Sequence, residues 1–140
     1  MFINRLVFLI LFFSSYAHAE LSIQNWKTPN GSQVYFVENH SLPVVDVNVM
    51  FSAGSVRDSK QTNGVASMTN HLMFSGSAGM SEQKLMNSFA DIGAQVGSNF
   101  NRDQSSFSLR TLSEEKSEAI ELFKVVLQKP NFDKEILDRE

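Results

Sequence analysis

The segment from Val44 to Phe51 limits the possible folds of this chain more than any other. In it Val45, Val47, Val49 and Phe51 alternate with Asp46, Asn48 and Met50. A period of two residues belongs to a β-strand and places the first set of side chains on one face of a sheet. That face needs a cover, and the opposite face does not, so neighbouring strands and a layer of helices on one side are implied. A second strand of this kind is predicted from Ser105 to Thr111, with Phe107 and Leu109 on one face and Ser106, Ser108 and Arg110 on the other. A third is predicted over about Gln95 to Phe100. The expected architecture is α+β: these strands in one antiparallel or mixed sheet, with helices on one face.

Two β-prone runs, Ile23 to Thr28 and Gln33 to Glu38, flank Pro29-Asn30-Gly31 and read as a hairpin, because an Asn-Gly pair tolerates positive φ. Beyond the Val44 strand, Ser52-Ala53-Gly54-Ser55 breaks the alternation and Arg57-Asp58-Ser59-Lys60 reads as a solvated loop. A helix is predicted from about Gly64 to Phe74, with Thr62 or Asn63 as its cap and Gly76 just past its end. Val65, Met68 and Leu72 form one stripe of it, and Ser67, Asn70, His71 and Phe74 form another. A second helix opens at Ser81, turns Leu85, Met86, Phe89 and Ile92 inward and stops at Gly93. A third is capped by Ser113, has Glu114 and Glu115 at its positive end, and buries Ala119, Ile120, Phe123, Val126 and Leu127 before Lys129-Pro130. After Phe132-Asp133 a further helix begins at Lys134 and reaches only Glu140, a length that is not stable alone in water. Residues 20–140 therefore read as the N-terminal portion of a longer domain.

The first residues have the pattern of an export leader: Asn4-Arg5, an apolar run from Leu6 to Phe13, and the small-x-small site Ala17-His18-Ala19. Cleavage is expected at about Ala19/Glu20, which makes the protein periplasmic or secreted. The apolar run is shorter than the roughly 20 residues that span a bilayer, and no later stretch is more apolar, so no membrane insertion is expected after leader removal. Loss of residues 1–19 takes Arg5 and no acid from a chain of net charge −3, leaving −4. Its Lys and Arg are scattered rather than clustered, which argues against a nucleic-acid partner. There are no cysteines. Thiolate metal sites, thiol redox chemistry and disulfides are thereby excluded, and stability rests on a packed core or on a partner.

The only histidine on a predicted helix is His71; His40 lies in a loop between Asn39 and Ser41, and His18 belongs to the leader. No Ser/His/Asp or Cys/His grouping is evident. Met68, Met73, Met80 and Met86 fit core packing on amphipathic helices better than a soft-metal site.

Several short pieces occur in a specific order: Asn30-Gly31 before a strand, Leu42-Pro43-Val44-Val45, the strand end from Phe51 to Gly54, Gly64-x-Ala66 and His71-x-x-Phe74-x-Gly76. Gly93, Arg102-Asp103 and Phe132-Asp133 continue the series. In this order and spacing the chain resembles the insulinase/pitrilysin family of inverted-zincin metallopeptidases. The family's H-x-x-E-H motif supplies two zinc ligands and a glutamate base. By that resemblance Ser67 occupies the first ligand position, Asn70 the general-base position and His71 the second ligand position. A hydroxyl is a poor neutral zinc ligand, and a carboxamide has no basic carboxylate. The family's third ligand, a glutamate on a later helix, would fall beyond Glu140. Gly97-Ser98 also stands where active members show Asn-Ala beside the substrate strand.

The resemblance implies paired α+β domains closing around a chamber, and some members work as a catalytic and a non-catalytic chain. This chain resembles the non-catalytic kind. The implied role is that of partner subunit to a catalytic insulinase-family chain, holding peptide by strand addition to a sheet edge. No cofactor of its own is expected; zinc belongs to the family and to the alternative of an active endopeptidase using replacement ligands. A second alternative is an inactive truncated fragment.

Overall fold

The computed structural model describes residues 22–139. The leader and its cleavage point at Ala19/Glu20 lie outside these residues, as does Glu140. The chain divides after Ser41 into two compact units.

The first unit contains a hairpin of β1 (Ile23–Lys27) and β2 (Gln33–Val37), antiparallel with Trp26 opposite Val34. Its turn closes where Gly31, at φ 87°, donates its N–H to the Thr28 carbonyl at 2.9 Å, as the Asn-Gly pair led one to expect.

The second unit is built on a three-stranded antiparallel sheet in the order β3 (Val44–Phe51), β7 (Ser105–Leu112), β6 (Gln95–Phe100). Its register aligns Val47 with Leu109 and Val96, and Asp46 with Arg110 and Gln95. The alternation in β7 is complete: Ser105, Phe107, Leu109 and Thr111 are buried, whereas Ser108 and Arg110 are exposed. Helices cover the apolar face. Those helices are α1 (Val65–Leu72), α2 (Glu82–Asp91) and α3 (Lys116–Gln128). Leu85 and Phe89 of α2, Ala119, Phe123 and Val126 of α3, Met73 after α1, and Phe107 and Leu109 of β7 form one core. Phe107 stands edge-on to both Phe51 and Phe74, with ring centroids 6.0 and 6.1 Å apart, so β3, β7 and the end of α1 meet at one aromatic side chain. The two-layer reading of the sequence holds.

Several local expectations do not. Neither Thr62 nor Asn63 caps α1. Gly64 is its N-cap, at φ 91°, and the orphan amides of Gly64 and Ala66 donate to the Asp58 carboxylate at 3.0 and 3.2 Å. Ser113 does not cap α3 either: it lies in a turn where its N–H donates to the Pro43 carbonyl at 2.9 Å, and Glu115 takes the N-cap place without a side-chain bond. Ile120, expected inward, is exposed, and so is Val65 on the apolar stripe of α1. In the first helix Leu72 is buried together with Asn70 and with Met73 just past its end, while Ala66 and Met68 are half-buried; in the third, Ala119, Phe123 and Val126 are buried as expected. Ser81 does cap α2, accepting from the Lys84 amide.

The sequence also concealed a two-residue hairpin, β4 (Gly76–Ser77) with β5 (Met80–Ser81). Asn131 holds it from a distance: its Oδ1 accepts from the Gly79 amide and its Nδ2 donates to the Met80 carbonyl, each at 2.9 Å. Gly76, at φ 128°, leaves no room for a Cβ, which would stand 2.9 Å from Asn131 Nδ2. Beyond Asn131 comes α4 (Lys134–Arg139).

Candidate functional site

The helix that the motif singled out, α1, follows a loop whose position is set by a close backbone crossing. Gly54 is buried where a Cβ would come within 2.3 Å of the Arg102 carbonyl oxygen, so only glycine permits the approach. Next to it, Ser55 and Val56 donate their amides to the carbonyls of Asn101 and Arg102 at 3.3 and 2.9 Å. These bonds tie the loop after β3 to the β6–β7 turn. Asp58 then fixes the start of α1.

The three motif positions part company in space. Ser67 and His71 are exposed, whereas Asn70 is 6% exposed and faces the sheet. Its Nδ2 donates to Ser105 Oγ on β7 at 2.7 Å and to the Asn99 carbonyl on β6 at 3.3 Å. The carboxamide at the general-base position is therefore engaged in holding the helix to two strands. Sequence reasoning placed Asn70 on a polar stripe and missed this. The available signal was that Asn70 lies four residues after Ala66 and three before Met73, on the line that becomes buried.

A zinc site of the hydrolase type does not fit these residues. A hydroxyl, an inward-committed carboxamide and one imidazole supply neither three ligands nor a base. Among the described residues, no three His, Cys, Asp or Glu side chains are grouped so as to hold a metal ion. His40, the other described histidine, is exposed and pairs with Glu38 at 3.0 Å. No helix among the described residues is long and apolar enough to cross a membrane.

Strand β6 flanks the site. Among the described residues it pairs with β7 alone, so its other side is a sheet edge. Gly97 and Ser98 lie within it, and Gly97 faces Ser108, whose Oγ a Cβ at Gly97 would meet at 3.3 Å. Across the same sheet the outward face bears the ion pair of Asp46 with Arg110. Arg110 Nε and Nη2 donate to the two carboxylate oxygens at 2.7 and 2.8 Å. These bonds hold the Asp46 carboxyl below its ordinary range and push the Arg110 guanidinium above its own.

The family model for insulinase, peptidase family M16, matches residues 33–140. The chain belongs to the insulinase family. Its fold matches the inactive domain of a peptidase M16 protein from Pseudomonas fluorescens with a TM-score of 0.82 and 36% identity, over 85% of this chain and 29% of that one. A protease from Helicobacter pylori shares the fold at a TM-score of 0.72 and 20% identity, over 83% of this chain and 28% of its own. Among curated relatives, a probable mitochondrial-processing peptidase subunit beta from Arabidopsis thaliana is 29% identical over 80% of this chain and 21% of its own length. Subunit 1 of the bovine cytochrome b-c1 complex is 26% identical over 91% of this chain and 27% of its own length. The chain thus spans between 21% and 29% of the length of these proteins.

Proposed function

We propose that this insulinase-family homologue is non-catalytic and serves as the partner subunit of a catalytic zinc peptidase of the same family, contributing to peptide binding. The observation that carries the reading is Asn70: the position that should hold a catalytic base holds a buried carboxamide bonded to Ser105 and Asn99. Ser67 on the ligand position adds to it. Relatives named as subunits of a processing peptidase and of the cytochrome b-c1 complex support a role within an assembly. The side of β6 that pairs with no strand among the described residues offers main-chain groups to which an extended peptide can add as a further strand. On this reading the leader pattern of residues 4–19 directs the chain to the periplasm or outside the cell.

The decisive experiment measures zinc content and peptide cleavage by the purified chain, with and without a catalytic insulinase-family subunit. The expected result is no stoichiometric zinc and no cleavage by the chain alone. Cleavage by the pair should survive His71→Ala in this chain. Chelator-sensitive hydrolysis by the chain alone would sink the proposal and favour an endopeptidase with replacement ligands. Aggregation under every condition would instead mark a fragment that cannot act by itself.

A further inference from the structure

We infer that Asn70 is a positioning residue, which fixes strand β6 so that its outer edge is a preformed template for an extended peptide. The inference rests on the peptide-binding reading above and gives it a molecular cause. From α1, Asn70 bonds to both strands of the β6–β7 hairpin, through Asn99 and Ser105. Ser105 is itself 5% exposed, so its hydroxyl and the Asn70 amide are paired out of water. Turning the amide outward leaves the buried Ser105 hydroxyl without this donor and removes a part-buried bond from the Asn99 carbonyl, which favours the inward rotamer. The other flank of the same hairpin is tied by Ser55 and Val56 to the carbonyls of Asn101 and Arg102. The turn at 101–104 closes on itself as well, with Asn101 Oδ1 accepting from the amides of Asp103 and Gln104 at 2.9 and 3.0 Å. Strand β6 is thus held near one end from two directions while its outer edge carries no partner among the described residues. A strand held extended in advance spares a peptide the cost of ordering it. On this account the motif position has exchanged proton transfer for alignment of the strand.

The test compares wild type with Asn70→Asp, Ser105→Ala and, as a control, Asn131→Ala. Asn70→Asp keeps the shape and can accept from the Ser105 hydroxyl but cannot donate to the Asn99 carbonyl. Ser105→Ala is the milder change if the first does not fold. Asn131→Ala loosens β4–β5 instead. Two readouts are taken: amide hydrogen exchange over residues 95–100, and affinity for a fluorescein-labelled peptide of alternating valine and threonine. Both site variants should speed exchange and weaken the peptide by about tenfold, the effect of losing one buried hydrogen-bond partner. Asn131→Ala should lower the thermal midpoint and leave both readouts near wild type. Unchanged exchange overturns the inference, and so does faster exchange with unchanged affinity. If wild type fails to bind the peptide while Asn70→Asp still speeds exchange, the peptide reading itself has failed and the inference falls with it.

Discussion

At the scale of single residues, the outward face of the sheet offers a clean electrostatic case. Asp46 and Arg110 are direct cross-strand partners, joined by two charge-assisted bonds. The hydrogen bond from Arg110 lowers the Asp46 pKa in the folded state relative to the unfolded one. A carboxyl shifted that way stabilises the fold above its unfolded value, near pH 4, and loses that contribution as pH falls through the lower native value. Asp46→Asn should therefore reduce the urea midpoint at pH 7, and the gap from wild type should close on acidification below about pH 4. The reduction should be small, because both side chains are more than half exposed. A gap that widens in acid would reverse the assignment. Residues of the candidate site were unequally legible. Ser67, Asn70 and His71 could be named from the motif alone, since the motif is a matter of residue type and spacing. Which groups Asn70 bonds to could not, because its two acceptors lie 29 and 35 residues away and pattern reasoning sees only near neighbours.

At the scale of elements, legibility followed the same rule. The three strands of the main sheet were read nearly to the residue and the three longer helices to within about two residues at each end, since each carries its own period. Caps were read correctly only where the partner is local: Ser81 bonds three residues ahead, whereas Asp58 bonds six and eight residues ahead across a loop. The hairpin β4–β5 was invisible, because it is two residues a side and its anchor, Asn131, is about fifty residues further on. These assignments have a direct consequence for α1. Asp58→Ala should cost about 1 kcal/mol in urea unfolding, the usual value of a lost helix cap. Asn63→Ala should cost much less, since Asn63 is not the cap. The reverse order of the two effects would show that the capping has been misplaced.

At the scale of the whole molecule, the fold class and the family were legible because both depend on the order of elements along the chain. Export is the corresponding expectation about the entire polypeptide: protein recovered from the periplasm should begin at Glu20, which N-terminal sequencing decides. A cytosolic chain still carrying Met1 would contradict it. The division after Ser41 has one further effect, on how unfolding is seen. Trp26 and Tyr35 both sit in the β1–β2 hairpin, and residues 42–140 contain neither tryptophan nor tyrosine. Tryptophan fluorescence, which comes from Trp26, is therefore a probe of the hairpin alone, while far-ultraviolet circular dichroism is dominated by the helices of the larger unit. Agreement between the two melting curves, usually a routine check of two-state behaviour, becomes in this protein a direct measurement of whether its two units unfold together.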